Sequence, residues 1–163
     1  LDVIKIFYQV QQKISAKLIL VGDGPDREKA DLLAKELGIN EKIIFLGKSD
    51  EIRKILCLTD LFLLPSETES FGLAALEAMA GKTPVISSNT GGLPEVNIQG
   101  VTGYLSDVGD VDDMAKNAIY LLSDEERLQK FKQQAFDAAH RFSIETILPK
   151  YEEMYLRVIE KVL

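Results

Sequence analysis

Short apolar runs alternate with segments of helical periodicity along most of this 163-residue chain, and that order constrains its fold more than any other feature. Val3, Ile4, Phe7, Val10 and Ile14 recur at the spacing that lays one apolar stripe along a helix. Residues 16–21 then form a β-type run that stops at the turn sequence Gly22-Asp23-Gly24-Pro25. Beyond it the pattern predicts a helix over 26–37, a strand over 43–45, a helix over 50–57 and a strand over 61–64. A helix over 71–80, a strand over 84–86 and a short strand over 103–105 continue the series. The strands read as unbroken apolar runs, the mark of strands buried on both faces in a parallel sheet that helices cover. The expected class is α/β, with a doubly wound parallel sheet. Every other helix of this series follows a strand, whereas the first follows none, so a strand and its loop are expected ahead of residue 1.

One domain is the default at this length, because such a chain buries roughly two thirds of its unfolded surface. Two more helices are expected over 111–122 and 124–141, joined at the cap-like sequence Ser123-Asp124-Glu125-Glu126. A terminal amphipathic helix over 143–163 carries Leu148, Tyr151, Met154, Tyr155, Val158, Ile159 and Val162 on one face. That face needs cover, in the simpler case from its own domain and in the other from a partner domain.

Composition narrows the function classes. A formal net charge of -7, one His and no cluster of Lys or Arg weigh against a nucleic-acid surface, which needs concentrated positive charge. Cys57 stands alone in an apolar stretch, so no disulfide framework or metal-ligand pair forms around it, and it is expected to be buried. Apolar runs such as 61–64 fall far short of the roughly 20 residues of a membrane span, and no leader opens the chain. A reducing cytoplasm is the expected setting.

Ligands of an open parallel sheet bind beyond the carboxyl ends of its strands, so the loops after Val21, Phe45, Leu64 and Ile86 are the candidate sites. Gly22 and Gly24 suggest a dinucleotide fingerprint, but Arg27 stands where the third Gly is required; a tight strand-to-helix turn is the plainer reading. The loop 65–70 leads straight into Phe71-Gly72-Leu73 and an Ala-rich helix. Free N–H groups at a helix start, with the positive end of its dipole, attract phosphate, and Gly72 lets a diphosphate approach the backbone. Glu69 precedes that helix and Glu77 lies inside it, about 9 Å along the axis from Phe71. With a diphosphate at the helix start, Glu77 would hold ribose hydroxyls and Glu69 sugar hydroxyls; a bare Glu pair, taken alone, reads more readily as a capping acid and a solvated helix residue. Gly91-Gly92 would offer N–H groups to a phosphate or sugar oxygen, or merely form a bend. Lys48 follows Gly47 in a loop suited to a flat base edge, although a lone Lys is commonly just a solvated charge.

Glu69 and Glu77 stand in an E-x7-E spacing within the run from Glu69 to Gly81. Leu20-Val21-Gly22-Asp23-Gly24-Pro25 and Phe45-Leu46-Gly47-Lys48 precede it, and Thr90-Gly91-Gly92-Leu93-Pro94-Glu95 and Gly100-Val101-Thr102-Gly103-Tyr104-Leu105 follow. This series resembles the carboxy-terminal Rossmann-like domain of the retaining GT-B glycosyltransferases of family 4, over essentially the whole chain. Within the family, the runs 63–73, 91–96 and 102–110 are most similar to bacterial members that join N-acetylglucosamine from a UDP donor to L-malate. The resemblance implies a nucleotide-sugar donor, UDP-GlcNAc, with Glu69 as the catalytic residue on the donor sugar hydroxyls and Glu77 on the ribose. Ser70, Phe71, Gly72 and Leu73 would line the donor, the last three through backbone N–H groups. The base would lie against Gly47 and Lys48, with Gly22 and Gly24 lining the cleft. The family's Arg and Lys against the diphosphate would come from the loop upstream of residue 1, and its acceptor pocket from an amino-terminal domain of the same protein. Front-face transfer of this kind uses no protein nucleophile, and neither a metal nor another cofactor is expected.

Two other readings stay open at this stage. One is a noncatalytic nucleotide-binding or interaction module on the same fold. The second is a UDP-sugar C2 epimerase of related architecture, which needs a carboxylate and His arrangement in the cleft. His140, in the helical tail, is expected only to end a helix.

Overall fold

The computed structural model describes the backbone of residues 1–162 and side chains through Ile159. Helix α1 (Asp2–Gln11) buries Ile4, Phe7 and Val10 of the expected stripe and Ile6 beside them, while Val3 is only partly buried and Ile14 falls beyond the helix. Strand β1 (Leu18–Val21) runs parallel to β2 (Ile43–Gly47), and α2 (Arg27–Glu36) connects them. After α3 (Ile52–Cys57) come β3 (Phe62–Leu64), α4 (Leu73–Ala80), β4 (Val85–Ser88), the short α5 (Leu93–Val96) and β5 (Gly103–Ser106). Strands β3, β4 and β5 pair in parallel in that order, with Val85 opposite both Phe62 and Gly103. The chain ends in α6 (Val111–Leu122), α7 (Glu125–Ala139), a 3₁₀ turn over His140–Phe142 and α8 (Ile144–Val162). Asp110 and Asp124 cap α6 and α7, each carboxylate accepting the N–H of the residue three positions on at 2.9 Å.

The parallel α/β architecture is the expected one, but the sheet is in two pieces. Among the described residues β1 pairs only with β2, and β3 only with β4. An open groove of about 720 Å³ separates them, lined by Ile19 and Val21 on one side, Leu61 and Leu63 on the other, and Phe7 and Val10 of α1. Burial differs accordingly. Every residue of β4 is buried, whereas β1 and β2 alternate, with Ile19, Val21, Ile44 and Leu46 exposed. The expectation of strands covered on both faces therefore fails for β1 and β2: α1 and α2 pack Leu18, Leu20, Ile43 and Phe45 into a core, and nothing among the described residues covers the opposite face.

Two further expectations are corrected. Cys57 is exposed, because it ends α3 on the side away from Leu56, the residue that joins the core. The apolar face of α8 finds no cover in its own domain: Leu148, Tyr151, Met154, Tyr155, Val158 and Ile159 are all about half exposed. Ser143, extended at φ -66° and ψ 153°, turns the chain out of the 3₁₀ turn so that α8 leaves the sheet behind. The side chain of Val162, and Leu163 altogether, lie outside the described residues.

A buried polar clamp joins β4 to β5. The Asn97 amide nitrogen lies 3.1 Å from the Val85 carbonyl, 2.9 Å from Ser87 Oγ and 3.1 Å from the Tyr104 carbonyl, and its oxygen accepts from Thr102 Oγ1 at 2.9 Å. A fully buried amide satisfied in this way stabilises one register over others, since losing a partner would strand polar groups away from water. On the far side of β5, Tyr104 stacks on Phe131 and meets Tyr120 edge-on, holding α7 and α6. Burial raises the Tyr104 phenol above the ordinary tyrosine range; Tyr120 adds to the shift and Arg127 opposes it.

Candidate donor site

Segment 65–72 leaves the carboxyl end of β3 without regular structure and enters α4 through Gly72, whose φ of +96° is open to glycine and strained for other residues. No side chain caps α4, and its ladder starts with Leu76 N–H donating to the Gly72 carbonyl at 3.1 Å. The amides of Leu73, Ala74 and Ala75 therefore precede the first bonded turn, at the positive end of the helix dipole. The helix starts two residues later than periodicity predicts, because Gly72 in the left-handed region interrupts it. Glu77 is then about 6 Å along the axis from the first helical residue, Leu73, and not 9 Å from Phe71.

Glu69 is partly buried, and its carboxylate accepts the N–H of Ser70 at 3.1 Å. Glu77 is exposed and makes no side-chain hydrogen bond or ion pair among the described residues. Phe71 lies edge-on against Phe142 with ring centroids 6.0 Å apart, and Leu73 projects into solvent. Across this segment lies the turn Thr90-Gly91-Gly92. Its Gly92 N–H donates to the Glu69 carbonyl at 3.3 Å, so that amide is engaged with protein and not free for a ligand.

A second cluster forms at the ends of β1 and β2. Gly22 N–H donates to the Gly47 carbonyl at 2.7 Å, with Gly22 at φ +132° and Gly47 at φ +68°. A Cβ added at Gly22 or Gly24 would meet nothing within 4 Å, so both backbones border open space. Lys48 is exposed beside them. Arg27, weighed in the sequence only as a missing glycine, joins this cluster: its guanidinium lies 5.8 Å over the Phe45 ring and 3.7 Å from the Asp23 carboxylate. Its position at the first turn of the helix after a ligand-side loop was the available signal. The structure thus gathers Glu69, Ser70, Phe71, Gly72 and Leu73 at one end and Gly22, Gly24, Gly47 and Lys48 at the other. No hydrogen bond or ion pair joins the two groups among the described residues.

His140 ends α7 with Nδ1 3.0 Å from the Phe136 carbonyl, and among the described residues it makes no hydrogen bond or ion pair with Glu69 or Glu77. Among the described residues no group of three or more His, Cys, Asp or Glu gathers to hold a metal ion, and no helix is long and apolar enough to cross a membrane.

Comparison with known proteins places the family and the fold. Residues 2–138 match the family model of the glycosyl transferases group 1. The N-acetyl-alpha-D-glucosaminyl L-malate synthase of Bacillus anthracis is 43% identical over 159 residues, which cover 97% of this chain and 42% of that protein. A D-inositol 3-phosphate glycosyltransferase of Mycobacterium sp. (strain KMS) is 38% identical over 72% of this chain and 29% of its own length. Among solved structures, Anabaena HepE in complex with UDP and glucose superposes with a TM-score of 0.84 at 26% identity, over 94% of this chain and 44% of that one. Sucrose-phosphate synthase from Thermosynechococcus elongatus gives 0.82 at 27% identity, over 97% and 42%. The chain spans less than half the length of each of these relatives. By motif order, fold and family match, this chain belongs to the group 1 glycosyl transferases, with a Rossmann-like α/β fold.

Proposed function

We propose that this chain is the donor-binding half of a retaining glycosyltransferase that moves N-acetylglucosamine from UDP-GlcNAc to a hydroxyl of L-malate. The observation that carries the reading is the uncapped start of α4 with Glu69 just before it and Glu77 one turn inside. Its amides suit a diphosphate, Glu69 suits the sugar hydroxyls and Glu77 the ribose. The base lies against Gly47 and Lys48, beside Gly22 and Gly24. The substrate assignment draws on the similarity to the Bacillus anthracis synthase. In transfer, the bond from sugar to UDP breaks as the acceptor oxygen bonds the anomeric carbon from the same face, and the hydroxyl proton leaves with the phosphate. Amides at the start of α4 stabilise the charge on departing UDP. The reaction needs no metal and suits the cytoplasm of a bacterium.

Calorimetry with UDP, UDP-GlcNAc and GDP-mannose tests the donor. The two-domain protein is expected to prefer the uridine ligands, and this chain alone to bind them weakly and to catalyse nothing. Preference for GDP-mannose would remove the donor assignment, and absence of binding to the two-domain protein would remove the site.

The same proposal includes a domain organisation. An amino-terminal domain supplies the acceptor pocket, and the strand that joins it to α1 fills the groove between β1 and β3. Supporting this are the two unpaired strand edges, the apolar lining and the length of the relatives. Phe62 N–H donates to Pro84 in β4's direction, so by alternation Leu63 N–H faces the groove. Amide exchange at Leu63 is expected to be slower in the two-domain protein than in this chain; equal rates would refute a strand there.

A further inference from the structure

The segment that carries Glu69 has little structure of its own, yet a second loop meets it backbone to backbone. Gly91 adopts φ +54°, and a Cβ there would lie 1.6 Å from the Glu69 carbonyl oxygen and 2.8 Å from its carbon. At Gly92 a Cβ would lie 2.7 Å from the Ser70 carbonyl oxygen and 2.8 Å from Phe71 Cα. At the start of α4 the fit reverses, since a Cβ on Gly72 would lie 2.9 Å from Leu93 Cδ2. Gly91 and Gly92 thus let two backbones close to a distance that side chains forbid. Hydrogen bonds register the contact: Gly92 N–H to the Glu69 carbonyl at 3.3 Å, and Thr90 Oγ1 to the Glu67 carbonyl at 3.4 Å.

The second loop is firmly based. Asn89 N–H donates to the Ser106 carbonyl at 2.7 Å, Leu93 is fully buried, and Asn97, whose N–H donates to the Leu93 carbonyl at 2.7 Å, is the clamp between β4 and β5. By contrast, the hydrogen bond that the Glu69 side chain makes is to the next residue of its own exposed loop. Position is therefore imposed on Glu69 from outside.

We infer that Thr90, Gly91 and Gly92 are positioning residues for transfer, holding the Glu69 backbone so that its carboxylate meets the sugar end of the donor. This rests on the function proposed above. A buttress of this kind acts on the sugar end of the donor, because the α4 amides begin at Leu73, beyond the Glu69 backbone that Gly91 meets, and Gly22, Gly47 and Lys48 belong to a separate cluster. Gly91 is exposed on its outer side, so a substitution there displaces the Glu69 backbone and leaves the core intact.

The test uses the two-domain protein, with UDP release from UDP-GlcNAc in the presence of L-malate as the rate and calorimetric UDP binding as the second readout. Gly91→Ala is expected to lower kcat about 100-fold, the scale of an ångström-level misplacement, with UDP affinity within a factor of about three of the parent. Thr90→Val, which removes one hydrogen bond without adding bulk in the contact, serves as the milder variant should Gly91→Ala fail to fold. It is expected to lower kcat about tenfold, again with UDP affinity retained. Parental kcat in either variant would overturn the inference, and so would a loss of UDP affinity in parallel with kcat, the pattern of a merely structural role. Glu69→Gln in the same assay separates the two ideas. If Glu69→Gln lowers kcat while Gly91→Ala keeps the parental value, the buttress fails and the function stands; if Glu69→Gln is unaffected, the function fails first.

Discussion

Glu69→Gln in the two-domain protein is expected to reduce kcat by about 100-fold with the fold unchanged. The substitution keeps the shape of the side chain and the acceptor atom that Ser70 N–H uses, while removing the negative charge. Glu69 is partly buried and pairs with no Lys or Arg among the described residues, so under the proposed function its charge acts on the donor, and no ion pair among those residues is broken by its removal. A front-face transfer builds positive charge at the anomeric carbon, so a nearby carboxylate contributes most in the transition state. The loss should therefore fall on kcat, with UDP affinity and the urea midpoint close to the parent values. An unchanged rate would remove Glu69 from the mechanism.

Gly103→Ala is expected to produce the largest loss of stability, about 3 kcal/mol or more, read as a lower urea midpoint at unchanged slope. Its Cβ would lie 1.7 Å from the Val85 carbonyl oxygen, 2.6 Å from the carbonyl carbon and 2.9 Å from Asn97 Oδ1. Backbone on one side and a fully bonded amide on the other leave no flexible group to yield, so β5 must move off β4 and the Asn97 clamp opens with it. For a domain holding about 5–15 kcal/mol in total, that is a substantial share. A loss below about 1 kcal/mol would mean that the close approach of β4 and β5 is not a constraint on the fold.

Much of the layout was legible in the residues because it is local. Helical spacing in 3–10 and the apolar runs at Leu18, Ile43 and Leu63 each depend on neighbours a few positions away. The loop and Ala-rich helix around Gly72 were legible too, as a turn, a glycine and a helix in succession, and the order of several such stretches pointed to the family. Gly72 marked the helix start poorly, because nothing local tells a glycine that begins a helix from one inside it; Leu93, twenty-one positions on, occupies the space a side chain there would need.

The errors have one cause. Cys57 sits in an apolar run and was expected inside, but only the direction in which α3 meets α4 decides which of its faces is covered. The face of α8 was equally plain in sequence, and its exposure depends on a turn at Ser143 that sets where the helix goes. Arg27 could be read only as a failed fingerprint until Phe45 and Asp23 were seen around it.

Periodicity and turn chemistry, which act over a few residues, determined that this chain is a parallel α/β domain and marked the loops after β1, β2, β3 and β4 as its candidate ligand sites. Tertiary structure alone decided that the sheet is split around a groove between β1 and β3, and that Gly91 and Gly92 press on the backbone of Glu69. Both are contacts between segments more than twenty residues apart, where the deciding quantity is the distance between two backbones, and no local pattern of side chains encodes that distance.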